Sequence, residues 1–191
     1  GSGKTEALIY RALNLILCKD VKPENILLCT FTEKAAEQLK ARLKLYLFKC
    51  GRDDIDLSKM SVGTIHSICN SILQDHINHI PNLHRNYEVL EELTQTLFLY
   101  ENFDEIFGDP IEDRYLSSWR SLWYTIEHAT LYFNKITEEC VDVDRLKKDK
   151  NIFVRLLADA YIRYRNKLDE TNRIDFSFQQ RHVLDLLKND K

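Results

Sequence analysis

The amino-acid sequence predicts an α/β fold in which a parallel-sheet domain is interrupted by an all-helical insertion, so that helix predominates overall. Three observations predict this fold. The chain opens with GSGKT at residues 1–5, which matches the end of the phosphate-loop pattern GxxxxGK[ST]. Two short apolar runs further along each stop at a threonine and pass directly into an amphipathic helix. Residues 81–169 then show helical periodicity throughout.

Composition favours a soluble globular protein. The 191 residues allow one good core or two small ones, and 44% hydrophobic with 30% charged residues is typical of this class. The longest apolar stretch, residues 7–18, is interrupted by Arg11 and Asn14 and is too short to cross a bilayer. Five cysteines without a CxxC pair indicate reduced thiols. With no signal-peptide pattern, we expect a cytoplasmic protein without a membrane partner.

Charge is unevenly distributed along the chain. Residues 1–52 hold ten Lys and Arg against five Asp and Glu, a net charge of +5. Residues 81–169 hold twelve against seventeen, a net charge of −5. The basic excess therefore lies beside the predicted phosphate loop, although a solvated helix face is the commoner fate of such lysines.

The first element is a helix from about Thr5 to Cys18, with apolar residues at i, i+3, i+4 spacing, and Pro23 follows its end. In a phosphate loop the backbone N–H groups cradle the phosphates, the lysine reaches the β- and γ-phosphates, and the hydroxyl ligates Mg²⁺. The alternative is an ordinary amphipathic helix behind an unrelated Gly-Ser pair. The candidate nucleotide-binding residues are Gly1, Ser2, Gly3, Lys4 and Thr5, with Lys4 and Thr5 as candidate catalytic residues and Thr5 as metal ligand.

The second element is a strand over residues 26–31, ILLCTF, whose continuous apolar run predicts burial on both faces of a parallel sheet. Thr32 is a good N-cap, and a helix from Glu33 to Lys49 follows it. The third element repeats this arrangement, with a strand over residues 60–63, Thr64 as the cap and a helix from Ile65 to about Ile80.

Each of these strand-to-helix switches offers free N–H groups at a helix start. In open α/β sheets, ligands bind at the carboxyl ends of the strands, and helix N-termini favour anions. We therefore expect one edge of the sheet to hold nucleotide phosphates at residues 1–5 and a polynucleotide backbone at Thr32 and Thr64.

The later part of the chain reads as a helical insertion with its own core, ending in a long helix from about Asn151 to Leu168. Residues 173–176 then lead into a last helix that returns to the first domain. The predicted domain limits are residues 1–80 for the first part of the sheet domain, residues 81–169 for the insertion and residues 170–191 for the return.

Three segments of this sequence resemble the UvrD/Rep-type superfamily 1 DNA helicases. Residues 30–42, TFTEKAAEQLKAR, resemble their motif Ia, and residues 62–69, VGTIHSIC, are similar to their motif Ib. Residues 1–5 would be motif I, and the order and spacing agree. Residues 161–187 look like the long helix and Asp-Phe segment that precede the Walker B strand in that family. The resemblance covers the chain end to end and is strongest at the three motifs.

The resemblance implies an ATP-driven translocase that unwinds DNA with 3′-to-5′ polarity, built from two RecA-like motor domains that grip one strand between them. This chain would be the partial RecA-like domain 1A with its inserted helical domain 1B. Its partners would be single-stranded DNA, junctions with duplex, and the second motor domain. Without Walker B carboxylates and an arginine finger, the fragment alone is expected to be inactive.

The same resemblance implies roles for individual residues. Lys4 would bind the β- and γ-phosphates of ATP, and Thr5 would bind Mg²⁺. Phe31 would stack on a base, since an aromatic face is a sequence-tolerant platform. Residues expected to track the strand are Thr30, Thr32, Arg42, Thr64 and His66. For His66, a half-buried histidine that bonds its own helix start is the open alternative.

Two departures limit the carry-over. The family's Asp-Phe-Asp-Asp-Leu-Leu reads DFSFQQ at residues 175–180, so no function is carried onto residues 177–180. Glu33 stands where motif Ia usually has an asparagine, which puts a direct DNA contact there in doubt.

Three alternatives stay open at this point. A helicase–nuclease of the RecB/AddA type would also read Thr-Ile-His-Ser in motif Ib. A small-molecule P-loop kinase shares Gly-Lys-Thr but has no need of two further threonine-capped switches. A catalytically inactive P-loop scaffold that binds DNA differs from the motor in the residues that follow Lys191.

Overall fold

The computed structural model describes residues 3–108 and 122–189 of the chain. They fall into two compact units, Gly1–Ser71 and Ile72–Lys191. The predicted domain limits at residues 80 and 169 stay predictions. Among the described residues, no helix is both long enough and apolar enough to span a membrane.

The first unit alternates helices and strands, as predicted. Short 3₁₀ turns at Pro23–Asn25 and Leu57–Lys59 precede its two strands. Its elements are α1 (Lys4–Cys18), β1 (Leu27–Thr30), α2 (Glu33–Lys49), β2 (Ser61–Thr64) and the first part of α3 (Ile65–Asp75).

The helix α2 shows why the sequence forms these elements where it does. The Thr32 hydroxyl accepts a hydrogen bond from the Ala35 amide at 3.2 Å, which caps the helix start as predicted. The helix ends at Gly51, whose φ of +68° is the left-handed conformation that a helix C-terminus commonly requires of glycine. Its inward residues recur every three or four positions and are buried: Ala36, Leu39, Leu43 and Leu47.

The strands β1 and β2 pair in parallel and place one apolar face on the core. Leu28 on β1 is buried in a cluster with residues of α1, α2 and the segment before β2. Leu27, by contrast, is 52% exposed, and Cys29 is exposed as well. The prediction that this strand is buried on both faces is therefore wrong for the described residues. Successive strand side chains point to opposite faces, and the described helices cover only the face that carries Leu28.

The second unit is predominantly helical, and a 3₁₀ turn at Ile77–His79 follows the end of α3. The predicted helix to Ile80 thus stops at Asp75 instead. The remaining elements are β3 (Glu88–Leu90), α4 (Glu92–Glu101), α5 (Phe103–Phe107), α6 (Leu122–Glu138), α7 (Val143–Leu146), α8 (Ile152–Glu170), β4 (Arg173–Asp175) and α9 (Phe176–Asn189).

The strand β3 corrects the prediction that residues 81–169 are helical throughout. It pairs in parallel with β4, with Glu88 opposite Arg173 and Leu90 opposite Asp175. Its three residues are too few to show a strand period, so the pairing itself is what makes them a strand.

An aromatic core with one buried carboxylate holds the second unit together. The Phe133 ring lies 5.1 Å from that of Tyr164 and 5.7 Å from that of Tyr161, centroid to centroid. The Asp175 carboxylate accepts hydrogen bonds from the Tyr164 hydroxyl at 2.7 Å, Gln95 Nε2 at 3.0 Å and the Phe178 amide at 2.7 Å. Burial raises the pKa of the Asp175 carboxyl, and the amide and hydroxyl donors oppose this rise.

Candidate functional site

The start of α1 has the form of a phosphate-binding helix terminus. Gly3 occupies the N-cap with φ of +69°, and its carbonyl accepts the first helical hydrogen bond, from the Ala7 amide at 3.0 Å. This left-handed conformation favours glycine. No described side chain caps this helix start, so the first-turn N–H groups keep their capacity to bind an anion.

Lys4 and Thr5, the first two residues of α1, are both exposed. The structure thus places an ammonium group and a hydroxyl at the positive end of a helix dipole. This donor set fits nucleotide phosphates and a hard cation such as Mg²⁺, which prefers oxygen ligands. Gly1 and Ser2, the other two predicted nucleotide-binding residues, lie outside the described residues.

The strand ends that precede α2 and α3 lie side by side. Because β1 and β2 are parallel and Thr30 is the register partner of Thr64, both strands end at the same edge of the sheet. The starts of α2 and α3 follow directly, at Glu33 and Ile65. Two of the three predicted switches therefore share one edge, and the position of the α1 start along this edge stays a prediction.

The predicted threonines at this edge differ in how their hydroxyl hydrogens are used. The Thr30 hydroxyl donates to the Thr32 carbonyl at 2.9 Å. The Thr32 hydroxyl accepts from the Ala35 amide, and it donates to no acceptor among the described residues. Thr32 is therefore the threonine whose hydrogen is available to a ligand oxygen without breaking a bond in this part of the chain.

Thr64 sits in a tighter network. Its hydroxyl accepts from the Ser67 amide at 3.1 Å and lies 2.9 Å from Glu33 Oε1, to which it donates. The Ser67 hydroxyl, 3.1 Å from the Thr64 hydroxyl, donates to the Thr64 carbonyl at 3.1 Å. A Cβ on Gly63 would lie 2.4 Å from Ser67 Oγ, so the absence of a side chain there permits this close approach.

Phe31 stands free at the same edge, immediately after β1, with 97% of its surface exposed. This exposure excludes the alternative that Phe31 is the last core residue of its strand. A fully exposed aromatic ring beside two helix starts has the geometry of a base-stacking platform.

His66 and Arg42 have other surroundings. His66 is half-buried in the first turn of α3. Arg42 lies ten residues beyond Thr32, about 15 Å along α2 at the usual helical rise. Its Nη1 is 3.2 Å from Glu6 Oε2 on α1. The structure thus brings Arg42 to the α1 helix, a contact that sequence reasoning missed because no local pattern indicates it.

Glu6 also bonds to a second side chain of α2. The Tyr46 hydroxyl donates to Glu6 Oε1. This bond and, to a lesser degree, Arg42 hold the pKa of the Glu6 carboxyl below its usual value, against the opposing effect of burial. The first turn of α1, which carries Lys4 and Thr5, is therefore tied to the middle of α2 by an ionised carboxylate.

These features define an α/β protein with an anion-binding helix start and a second polar edge at two parallel strand ends. The chain belongs to the UvrD/REP helicase N-terminal domain family, whose model matches residues 1–191.

Individual relatives agree with this membership. The ATP-dependent DNA helicase PcrA of Bacillus subtilis is 33% identical over 181 residues, which cover 92% of this chain and 22% of that protein. The ATP-dependent DNA helicase SRS2 of Saccharomyces cerevisiae is 35% identical over 118 residues, covering 62% and 10%. A subunit of the ATP-dependent helicase/nuclease of Syntrophomonas wolfei is 28% identical over 122 residues, covering 59% and 10%. The chain thus spans between 10% and 22% of the length of these relatives.

Proposed function

We propose that this chain is the ATP-binding and strand-binding part of an ATP-dependent DNA helicase that translocates on single-stranded DNA and unwinds duplex, with 3′-to-5′ polarity. The observation that carries the proposal is the match of the whole chain to the UvrD/REP helicase N-terminal domain family. In this proposal the first unit belongs to a RecA-like motor domain, and the helical insertion forms its accessory domain.

The nucleotide part of the proposal rests on the start of α1. The first-turn N–H groups and the Lys4 ammonium bind the phosphates of ATP, and the Thr5 hydroxyl contributes a ligand to Mg²⁺. Bound Mg²⁺ neutralises charge on the transferring phosphoryl group. Gly1 and Ser2 complete the loop through their backbone.

The strand part rests on the edge where β1 and β2 end. Phe31 offers a ring to a base, and Thr32 offers a hydroxyl hydrogen to a phosphate oxygen. Thr30, Thr64 and His66 complete the proposed strand path. Arg42, also predicted to track the strand, is paired with Glu6 in the strand-free protein.

The proposed partners follow from the same reasoning. They are single-stranded DNA, junctions between single and double strands, and a second motor domain of the full-length protein. A helicase of this kind works in the cytoplasm, and with the nucleoid in a prokaryote. The match to part of a helicase/nuclease favours a second candidate, the helicase part of a helicase–nuclease.

The substitution Lys4→Ala in the full-length protein tests the proposal. Removing the ammonium is expected to lower strand-stimulated ATP hydrolysis and unwinding together, by at least about 100-fold, because the contact acts on the charge that develops on the phosphoryl group. Nucleotide-free strand binding should survive. Lys19→Ala, which removes the same side chain at the other end of α1, is the matched control and should behave as wild type. Hydrolysis that persists in Lys4→Ala would refute the nucleotide site.

A further inference from the structure

The carboxylate of Glu33 lies at the edge where the strand is proposed to run. Glu33 is the first residue of α2, and Thr64 is the last residue of β2. The parallel register that sets Thr30 opposite Thr64 brings the start of α2 beside the end of β2. As a result, the Thr64 hydroxyl lies 2.9 Å from Glu33 Oε1, although the two residues are 31 positions apart in the sequence.

We propose that Glu33 is a positioning residue that holds the Thr64 hydroxyl in the strand-free protein and competes with DNA phosphate for it, so that Glu33 limits strand affinity. The inference rests on the proposed function, because it takes the strand to run along the edge formed by Phe31, Thr32 and Thr64.

The competition follows from the hydrogen count of a threonine hydroxyl. The group has one hydrogen to donate and two lone pairs that accept. Thr64 accepts from the Ser67 amide and gives its single hydrogen to the Glu33 carboxylate. A phosphate oxygen carries no hydrogen of its own and binds Thr64 only by taking that same hydrogen. Glu33 must therefore release Thr64 before the strand engages it.

The neighbouring hydroxyl does not remove this competition. Ser67 Oγ is 3.1 Å from the Thr64 hydroxyl and is a second acceptor within reach. The Glu33 carboxylate is the stronger acceptor of the two because hydrogen bonds to an ionised group are roughly twice as strong as neutral ones. Thr32, at the same edge, has no such competitor among the described residues, so its hydroxyl is ready for a phosphate.

Charge acts in the same direction as the hydrogen bond. Glu33 is exposed, and its negative charge stands where phosphates are proposed to pass. Like charges repel, and salt screens the repulsion between exposed groups. An acidic residue in the first turn of a helix also stabilises that helix, which is the purely structural role that Glu33 would have without the strand. The two roles predict opposite effects on strand binding when the carboxylate is removed.

The test measures binding of a short fluorescent oligo(dT) to the full-length, nucleotide-free protein at about 50 mM and about 300 mM salt. Glu33→Gln removes the charge and keeps an acceptor oxygen, whereas Glu33→Ala removes both. We expect Glu33→Gln to tighten binding about 2–5-fold at the lower salt and Glu33→Ala about 3–10-fold, with the charge part fading at the higher salt. A residue that only supports the helix would weaken binding when removed.

Glu37→Gln is the matched control. Glu37 is an exposed carboxylate one turn further along α2, with the same change of charge and no bond to Thr64. It should alter affinity by less than about 1.5-fold at the lower salt. Equal tightening by Glu37→Gln and Glu33→Gln, or unchanged or weaker binding in both Glu33 variants, would overturn the inference.

Thr64→Val separates this inference from the function on which it rests. The variant lacks the hydroxyl, so the difference in affinity between Glu33→Ala and Glu33→Gln should vanish in that background. If Thr64→Val weakens binding and the Glu33 variants change nothing, the inference fails and the strand path stands. If Thr64→Val and Phe31→Ala both bind as wild type, the proposed strand path itself is wrong. Should Thr64→Val not fold, the Glu33 and Glu37 variants still decide the inference.

Discussion

The Arg42 guanidinium pairs with the Glu6 carboxylate, Nη1 to Oε2 at 3.2 Å, and so joins the middle of α2 to the first turn of α1. The Tyr46 hydroxyl holds the other oxygen of the same carboxylate. This relationship sets Arg42 apart from Phe31 and Thr32, which stand at the strand edge without partners of that kind.

The first prediction concerns the role of Arg42. Each cation that neutralises a phosphate of single-stranded DNA contributes about 0.7 to the slope of log K against log salt. Because the Arg42 guanidinium is held by Glu6, we expect Arg42→Ala to leave this slope unchanged in the full-length protein. The measurement is a salt titration of oligo(dT) binding. A slope that falls by about 0.7 would instead make Arg42 a phosphate contact, as the sequence alone predicted.

The second prediction concerns Phe31. Since the ring is exposed, Phe31→Ala should leave the melting temperature nearly unchanged. It should weaken oligo(dT) binding by about 1–3 kcal/mol, the usual worth of one stacked base, without altering the salt slope. Phe48→Ala, which removes an exposed ring from the far end of α2, is the control and should bind as wild type. A large loss of melting temperature in Phe31→Ala with normal affinity would remove Phe31 from the site.

The third prediction concerns the approach of α3 to β2. The Cβ of Gly63→Ala would lie 2.4 Å from Ser67 Oγ and would displace that hydroxyl from the Thr64 carbonyl. We expect a destabilisation of about 1–3 kcal/mol, as for other overpacked sites. Adding Ser67→Ala removes the clashing atom and should restore most of the loss. Thermal melts of the two single variants and the double variant measure this coupling, and simple additivity would contradict the prediction.

The fourth prediction concerns the buried Asp175. Its folded-state pKa is raised by burial, so the folded protein binds a proton more readily than the unfolded chain. The stability contributed by this group therefore falls as pH rises from about 4, the unfolded value, through the folded pKa. Tyr164→Phe removes a donor to the ionised form and raises that pKa further.

Tyr164→Phe should therefore destabilise the second unit by about 1.5–3 kcal/mol at pH 7, as for a lost hydrogen bond to a charged group. The loss should shrink as the pH is lowered and Asp175 takes up its proton. Hydrogen exchange at the Phe178 amide, which donates to the same carboxylate, reports this change locally. A loss that is the same at pH 7 and pH 5 would show that Asp175 does not titrate as described.

Local signals explain which parts of the fold could be predicted. The helix α2 begins and ends where the sequence predicts because Thr32 is a cap and the apolar positions recur along one face. The end of α3 was placed too late. Its apolar spacing continues through Ile77 and Ile80, which stay buried although the chain has left the α-helix for a 3₁₀ turn. Periodicity alone does not separate these two helix types.

Contacts between distant segments explain what the sequence could not predict. Strand β3 exists only through its pairing with β4, and the exposure of Leu27 depends on which helices cover β1. The threonine caps at the candidate site were predictable because an N-cap is a local pattern. The Glu33–Thr64 and Glu6–Arg42 contacts were not, because a charged residue in the first turn of a helix fits a solvated surface equally well.

The pairing of β3 with β4 also fixes an order of events during synthesis. Glu88 and Arg173, whose side chains bond at 2.8 Å across this pair, are 85 residues apart in the chain. At the usual rate of synthesis β3 leaves the ribosome roughly 4–17 s before its partner strand exists. Helices form from local contacts and have time to assemble in that interval, whereas the parallel pair must wait. Until β4 emerges, the β3 segment of the nascent chain is an unpaired strand open to wrong partners, and folding of the second unit is completed only after its last strand is made.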